Sequence, residues 1–99
     1  MIVEVADLRT TPEQADQFAQ ALRRGVADVL SKSPGYQRHR VLASQESPGR
    51  FLLQVEWDSL EAHTVGFRES PAFAQWRAII GPFFAAPPVV EHFDVVDGR

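Results

Sequence analysis

The chain has 99 residues, 44% of them hydrophobic and 23% charged, with a formal net charge of −3, which is the profile of one globular domain spanning 1–99. The absence of cysteine excludes disulfides, thiolate metal sites and cysteine nucleophiles, and the acidic balance argues against a nucleic-acid binder or a protein that grips anionic membranes. No apolar run approaches the roughly 18–20 residues of a bilayer span, and the start, Met1-Ile2-Val3-Glu4-Val5, lacks a signal-peptide pattern, so a cytoplasmic protein is expected.

The β-branched run Ile2 to Arg9 reads as a strand, with Val3, Val5 and Asp7 on its inward side and Ile2, Glu4, Ala6 and Leu8 opposite. Thr11, Pro12 and Gln14 resemble a capping box with proline at the first helical position. Ala15, Phe18, Leu22, Val26 and Val29 then follow at helical spacing. Ser33-Pro34-Gly35 ends that helix near Lys32. Tyr36 to Ser44 reads as an edge strand, and Ser47-Pro48-Gly49 as a hairpin connection into Phe51–Trp57. In that last strand Phe51, Leu53, Val55 and Trp57 share one face.

Asp58-Ser59-Leu60-Glu61 opens a second helical stretch with Leu60, His63, Thr64 and Phe67 inward. Ser70-Pro71 restarts it, and Phe73, Trp76, Ile80 and Phe83 continue the apolar face. Val89 to Val96 closes the chain as a strand. The order β-α-β-β-α-β gives an α+β, ferredoxin-like fold with two helices on one face of a four-stranded antiparallel sheet. The opposite face, expected to carry Ile2, Glu4, Leu8, Leu52, Gln54, Glu56, Val90, His92, Asp94 and Val96, is too apolar for a solvated face. It therefore suggests a homodimer packed sheet to sheet.

His39, His63 and His92 stand on three different elements without metal-ligand spacing, so no metal site is expected. No glycine-rich phosphate loop and no nucleophile elbow is present. The interest lies between Trp57 and Trp76. His63 falls inward among Trp57, Phe67, Phe73 and Trp76, either as a general base for an aromatic substrate or as a packed core histidine. Asp7, as an inward acid, must be paired or line a wet cavity, unless it is solvated at the strand end. Arg68 and Arg77 could pair with Glu69, with Asp7 or with a substrate anion, or lie on a solvated helix face.

Trp57-Asp58-Ser59-Leu60-Glu61-Ala62-His63, Phe67-Arg68-Glu69-Ser70-Pro71-Ala72-Phe73, Trp76-Arg77 and Pro88-Val89-Val90-Glu91-His92-Phe93 resemble the antibiotic biosynthesis monooxygenase (ABM) domain of the dimeric α/β-barrel superfamily. The resemblance spans essentially the whole chain. It implies two ferredoxin-like protomers joined sheet to sheet as a barrel, each with a pocket between sheet and helices. It also implies cofactor-independent oxygenation of a small aromatic quinol or polyketide-like substrate, without metal or flavin. The haem-degrading branch of the family has an asparagine near the end of the first strand and a haem-ligating histidine on the last helix. Asp7 and the Trp76-Arg77 helix depart from that pattern. The expectation is thus a monooxygenase with His63 as catalytic base and Asp7, Trp57, Phe67, Phe73, Trp76 and Arg77 around the substrate. The alternative is a non-catalytic small-ligand-binding or stress-associated dimeric protein that reuses the fold.

Overall fold

The strand Arg50–Trp57 fixes the orientation of everything else, because its residues alternate strictly between buried and half-buried. In the computed structural model, which describes residues 1–98, the elements are β1 (Ile2–Arg9), α1 (Ala15–Asp28), β2 (Tyr36–Ala43), β3 (Arg50–Trp57), a π-helical turn (Ala62–Phe67), α2 (Pro71–Ile80) and β4 (Val89–Phe93). The sheet order is β2-β3-β1-β4 and every pairing is antiparallel. This is the ferredoxin-like arrangement, with β2 on an edge. Among the described residues no helix is long and apolar enough to cross a membrane.

Phe18, Leu22 and Val26 of α1 and Trp76 and Ile80 of α2 bury against Phe51, Leu53, Val55 and Trp57. Phe18 meets Phe51 edge to face at 5.3 Å, a geometry that aromatic pairs favour. The helices approach closely at Gly25, where a Cβ would lie 2.9 Å from Trp76 Cζ3. Helix α1 is shorter than expected, ending at Asp28, with a 3₁₀ turn over Leu30–Lys32. Thr11 contributes its carbonyl to Gln14 N–H rather than a side-chain cap. Leu60 is exposed rather than inward, and β4 stops at Phe93, so Asp94–Val96 are not strand.

The inward face of β1 is the reverse of the expected one. Cross-strand partners in an antiparallel sheet point to the same side. The register pairs Ile2 with Trp57, Glu4 with Val55, Ala6 with Leu53 and Leu8 with Phe51. Glu4, Ala6 and Leu8 are therefore buried under the helices, whereas Val3, Val5 and Asp7 face the open side. The same rule turns β4 over: His92 pairs with Glu4 and Val90 with Ala6, so both lie on the helix side. Val89 and Phe93 are exposed on the open face. Of the residues expected on that face, only Leu52, Gln54 and Glu56 are there as strand residues. They are joined by Val3, Val5, Leu42, Val89 and Phe93.

The β2–β3 hairpin is tied to the end of β1 at Gly49. This residue has φ +88, and a Cβ there would lie 2.3 Å from the Thr10 carbonyl oxygen, while Thr10 N–H donates to Gly49 C=O at 2.8 Å. Both the left-handed backbone and a neighbour that cannot swing aside require glycine. Gly49→Ala should destabilise the fold by roughly 2–3 kcal/mol, read as a lower urea midpoint with an unchanged slope.

Candidate active site

A cavity of about 420 Å³ lies between the helix face of the sheet, the π-helical turn and α2, within the size range of small-molecule sites. Phe67, Phe73 and Trp76 form an aromatic wall, Ala6, Leu53 and Val90 contribute from the sheet, and Glu4, His63, Arg68 and Arg77 are its ionisable residues.

The π-helical turn sets His63 in place. Arg68 N–H donates to the His63 carbonyl at 3.0 Å, one residue beyond α-helical spacing, and Ser59 Oγ accepts Ala62 N–H at the start of the turn. Such turns are often found at functional sites. Here His63 and Phe67 both turn into the protein, at 3% and 2% exposure. The imidazole packs against both Trp57, at 5.2 Å and 23°, and Phe67, at 6.2 Å and 21°, and these two rings lie 5.9 Å from each other. Phe67 in turn meets Phe73 edge to face.

Both ring nitrogens of His63 are engaged. Nδ1 lies 2.8 Å from His92 Nε2, and Nε2 lies 3.3 Å from Glu4 Oε1. The same Glu4 oxygen accepts the Trp57 indole N–H at 2.9 Å. The four side chains thus form a line, Trp57–Glu4–His63–His92; Trp57 only donates, while donor and acceptor roles can reverse together along Glu4–His63–His92. With Glu4 ionised, His63 Nε2–H faces the carboxylate and Nδ1 accepts from His92. With Glu4 protonated, the sense of the line reverses. These groups form a chain rather than converging on a point, and among the described residues no group of three His, Asp or Glu side chains is placed to hold a metal.

Burial dominates the electrostatics. Glu4, 6% exposed, has its carboxyl pushed up from 4.5 to about 7 by burial, against the smaller lowering effects of the Trp57 hydrogen bond and the Arg68 charge. His63 is pushed down from 6.5 to about 4 by burial, helped by the charges of Arg68 and His92. His92 is lowered by burial and by Arg68. Near neutrality the imidazole is uncharged and a weak base, and the carboxyl is poised between its two forms.

The two shifts have opposite consequences for stability. Glu4 binds its proton more tightly when folded, so its contribution is full below pH 4.5 and is lost as pH rises toward 7. His63 binds its proton less tightly when folded, so its contribution grows as pH rises from about 4 to 6.5. Each is worth on the order of 1–3 kcal/mol. Removing Glu4 leaves only the rising contributions, with His92 acting in the same sense as His63. Urea unfolding of Glu4→Gln should therefore show stability increasing with pH more steeply than in the parent between pH 4.5 and 6.5. Parallel curves would contradict the assigned shifts.

Of the residues expected around a substrate, His63, Phe67, Phe73, Trp76 and Arg77 meet at the cavity. Trp57 does not line it; the indole lies behind His63 and holds Glu4. Asp7 is on the open sheet face, paired with Arg50 at 3.0 Å and Arg9 at 3.4 Å. The Arg50 hydrogen bond holds its carboxyl below the usual range. The expectation that Asp7 points inward is thus corrected by the β1 register. Sequence reasoning missed Glu4 and His92 as site residues. The one available signal was an acid in mid-strand between Val3 and Val5, directly across from a strand whose buried face was already clear.

The profile of the family described as Antibiotic biosynthesis monooxygenase (ABM) matches residues 1–79. The chain is 36% identical over 96 residues to the uncharacterized protein YczJ of Bacillus subtilis, covering 97% of this chain and 100% of that one. A crystal structure from Bordetella bronchiseptica, of a protein assigned to the antibiotic biosynthesis monooxygenases, superposes with a TM-score of 0.89 at 30% identity, covering 96% of each chain. A Caulobacter crescentus structure with the same assignment gives 0.80 at 26% identity, covering 97% of this chain and 90% of that one. In sequence and in fold, the chain belongs to the antibiotic biosynthesis monooxygenase family.

Proposed function

We propose that the protein is a monooxygenase that oxidises a small electron-rich aromatic, a quinol or polyketide-like phenol, with O₂ and no bound cofactor. The observation that carries this reading is the Glu4–His63 pair at the wall of an aromatic-lined cavity, with His92 behind it on His63 Nδ1. A carboxyl poised near 7 is matched to taking a phenolic proton at neutral pH, and neutral His63 is suited to holding and relaying that proton rather than to being the primary base. Phe67, Phe73 and Trp76 suit a flat ring.

The reaction balances without a further reductant. The phenolic proton passes to the Glu4 carboxylate, and the phenolate gives one electron to O₂. The phenoxyl radical, with spin density at its para carbon, and superoxide join in a new carbon–oxygen bond para to the phenolic oxygen. Cleavage of the O–O bond and loss of the ring C–H leave a quinone and one water, so the substrate loses the four electrons that O₂ gains. Oxygen uptake with a panel of hydroquinones and monophenols tests the proposal. One O₂ should be consumed per quinone formed from a monophenol, with one labelled oxygen atom in the product. Phenol binding without oxygen uptake would instead favour a ligand-binding protein.

The open sheet face supports a homodimer as the working unit. Its Val3, Val5, Leu42, Leu52, Val89 and Phe93 form a mixed apolar surface, with Phe93 47% exposed. It is interrupted by the ion pairs Arg50–Asp7 and Arg38–Glu56. A second copy placed on the same face covers these side chains with their own kind, and a stable dimer of this type buries roughly 2,000 Å² or more.

A further inference from the structure

Arg68 and Arg77 line the cavity, both are solvent-exposed, and among the described residues neither makes an ion pair. The remaining ionisable residues of the lining are Glu4 and His63. With Glu4 ionised and His63 neutral, two guanidiniums face one carboxylate, and the cavity keeps an unbalanced positive charge beside an apolar interior. The two arginines are not equivalent. The Arg68 charge is felt at Glu4, His63 and His92, so it belongs to the proton-handling end. Arg77 sits one residue after Trp76 on α2 with its guanidinium carbon 5.8 Å from the centroid of the Phe73 ring. This contact holds a cationic fork against the aromatic wall and leaves its donors without a protein carboxylate.

We propose that the substrate is a flat aromatic acid whose ring-borne carboxylate is held by Arg77 while its hydroxyl faces Glu4. A guanidinium binds a carboxylate through paired, charge-assisted hydrogen bonds, and the adjoining rings of Phe73 and Trp76 contact the aromatic body to which that carboxylate is attached. This inference rests on the reading of the cavity as an aromatic substrate site and narrows it to an anionic class.

The test is equilibrium binding, without turnover, of 1-hydroxy-2-naphthoate and of its methyl ester to the intact protein, followed by calorimetry or by tryptophan quenching. The acid should bind at least about tenfold more tightly than the ester. Arg77→Gln should abolish that preference by weakening the acid far more than the ester, and Arg77→Lys should restore part of it. Arg24→Gln, on α1 and outside the cavity lining, should leave the preference intact. Equal binding of acid and ester to the parent protein would overturn the assignment of Arg77 and leave the aromatic-site reading standing. Binding of neither compound would overturn both.

Discussion

Glu4→Gln should lower turnover of a phenolic substrate by roughly 10²–10⁴-fold while leaving its binding nearly unchanged. The substitution keeps the shape of the side chain and an oxygen that can accept the Trp57 indole N–H, now 2.9 Å from Oε1. It removes the ability to take a proton, together with the carboxylate's negative charge. The loss should therefore appear in kcat, and the rise in rate expected of the parent as its carboxyl ionises near pH 7 should be absent. His63→Ala should cost less than Glu4→Gln, because it breaks the relay toward His92 but leaves the carboxyl at the cavity. A Glu4→Gln enzyme with parental kcat would remove Glu4 from the proposed chemistry. A His63→Ala enzyme more impaired than Glu4→Gln, with its fold intact, would return the base to the imidazole.

The same substitution at two positions of β3 should have two different outcomes. Val55→Glu places a carboxylate at a site with no exposure, on the helix face directly across from Glu4. An unpaired buried charge there costs several kcal/mol. With a typical total stability of about 5–15 kcal/mol, much or all of the folded population should be lost, visible as missing near-ultraviolet circular dichroism. Leu52→Glu lies on the open face, half-buried and across from Asp7. It should leave the protomer folded but disrupt the proposed sheet-to-sheet dimer, so that light scattering at micromolar concentration gives a dimer for the parent and a monomer for the variant. Val90→Glu, although on a strand that also borders the open face, points into the cavity and should impair ligand binding rather than association. A Leu52→Glu protein that remains dimeric would move the interface off this sheet face.

The order of elements was legible in the sequence because each is encoded locally. Proline and glycine at Ser33-Pro34-Gly35 and Ser47-Pro48-Gly49 interrupt periodic stretches, and helical or two-residue periodicity fills the intervals. The buried face of β3 was equally clear, since Phe51, Leu53, Val55 and Trp57 are all large and apolar while their neighbours include Gln54 and Glu56. His63 and Phe67, four residues apart, share a side in any helical turn, so their inward placement beside Trp57 also followed from spacing.

The face of β1 was decided only by tertiary structure. Val3 and Val5 are more apolar than Glu4 and Ala6, so local hydrophobicity favours the wrong alternation. In a strand with a two-residue repeat, that choice moves every side chain to the other side. What overrides it is the pairing of β1 with β3, which puts Glu4 beside Val55 and next to the Trp57 indole. The buried Glu4–His63–His92 cluster has the same origin. Glu4, His63 and His92 come from the beginning, middle and end of the chain, and their pKa values are set by burial in a cavity that exists only once sheet and helices have closed over it. Local spacing and turn residues specify which elements form and that an imidazole sits among aromatic rings. Strand register decided that a buried carboxyl sits beside that imidazole and that Asp7 does not, because the side to which a strand residue points depends on its partner across the sheet.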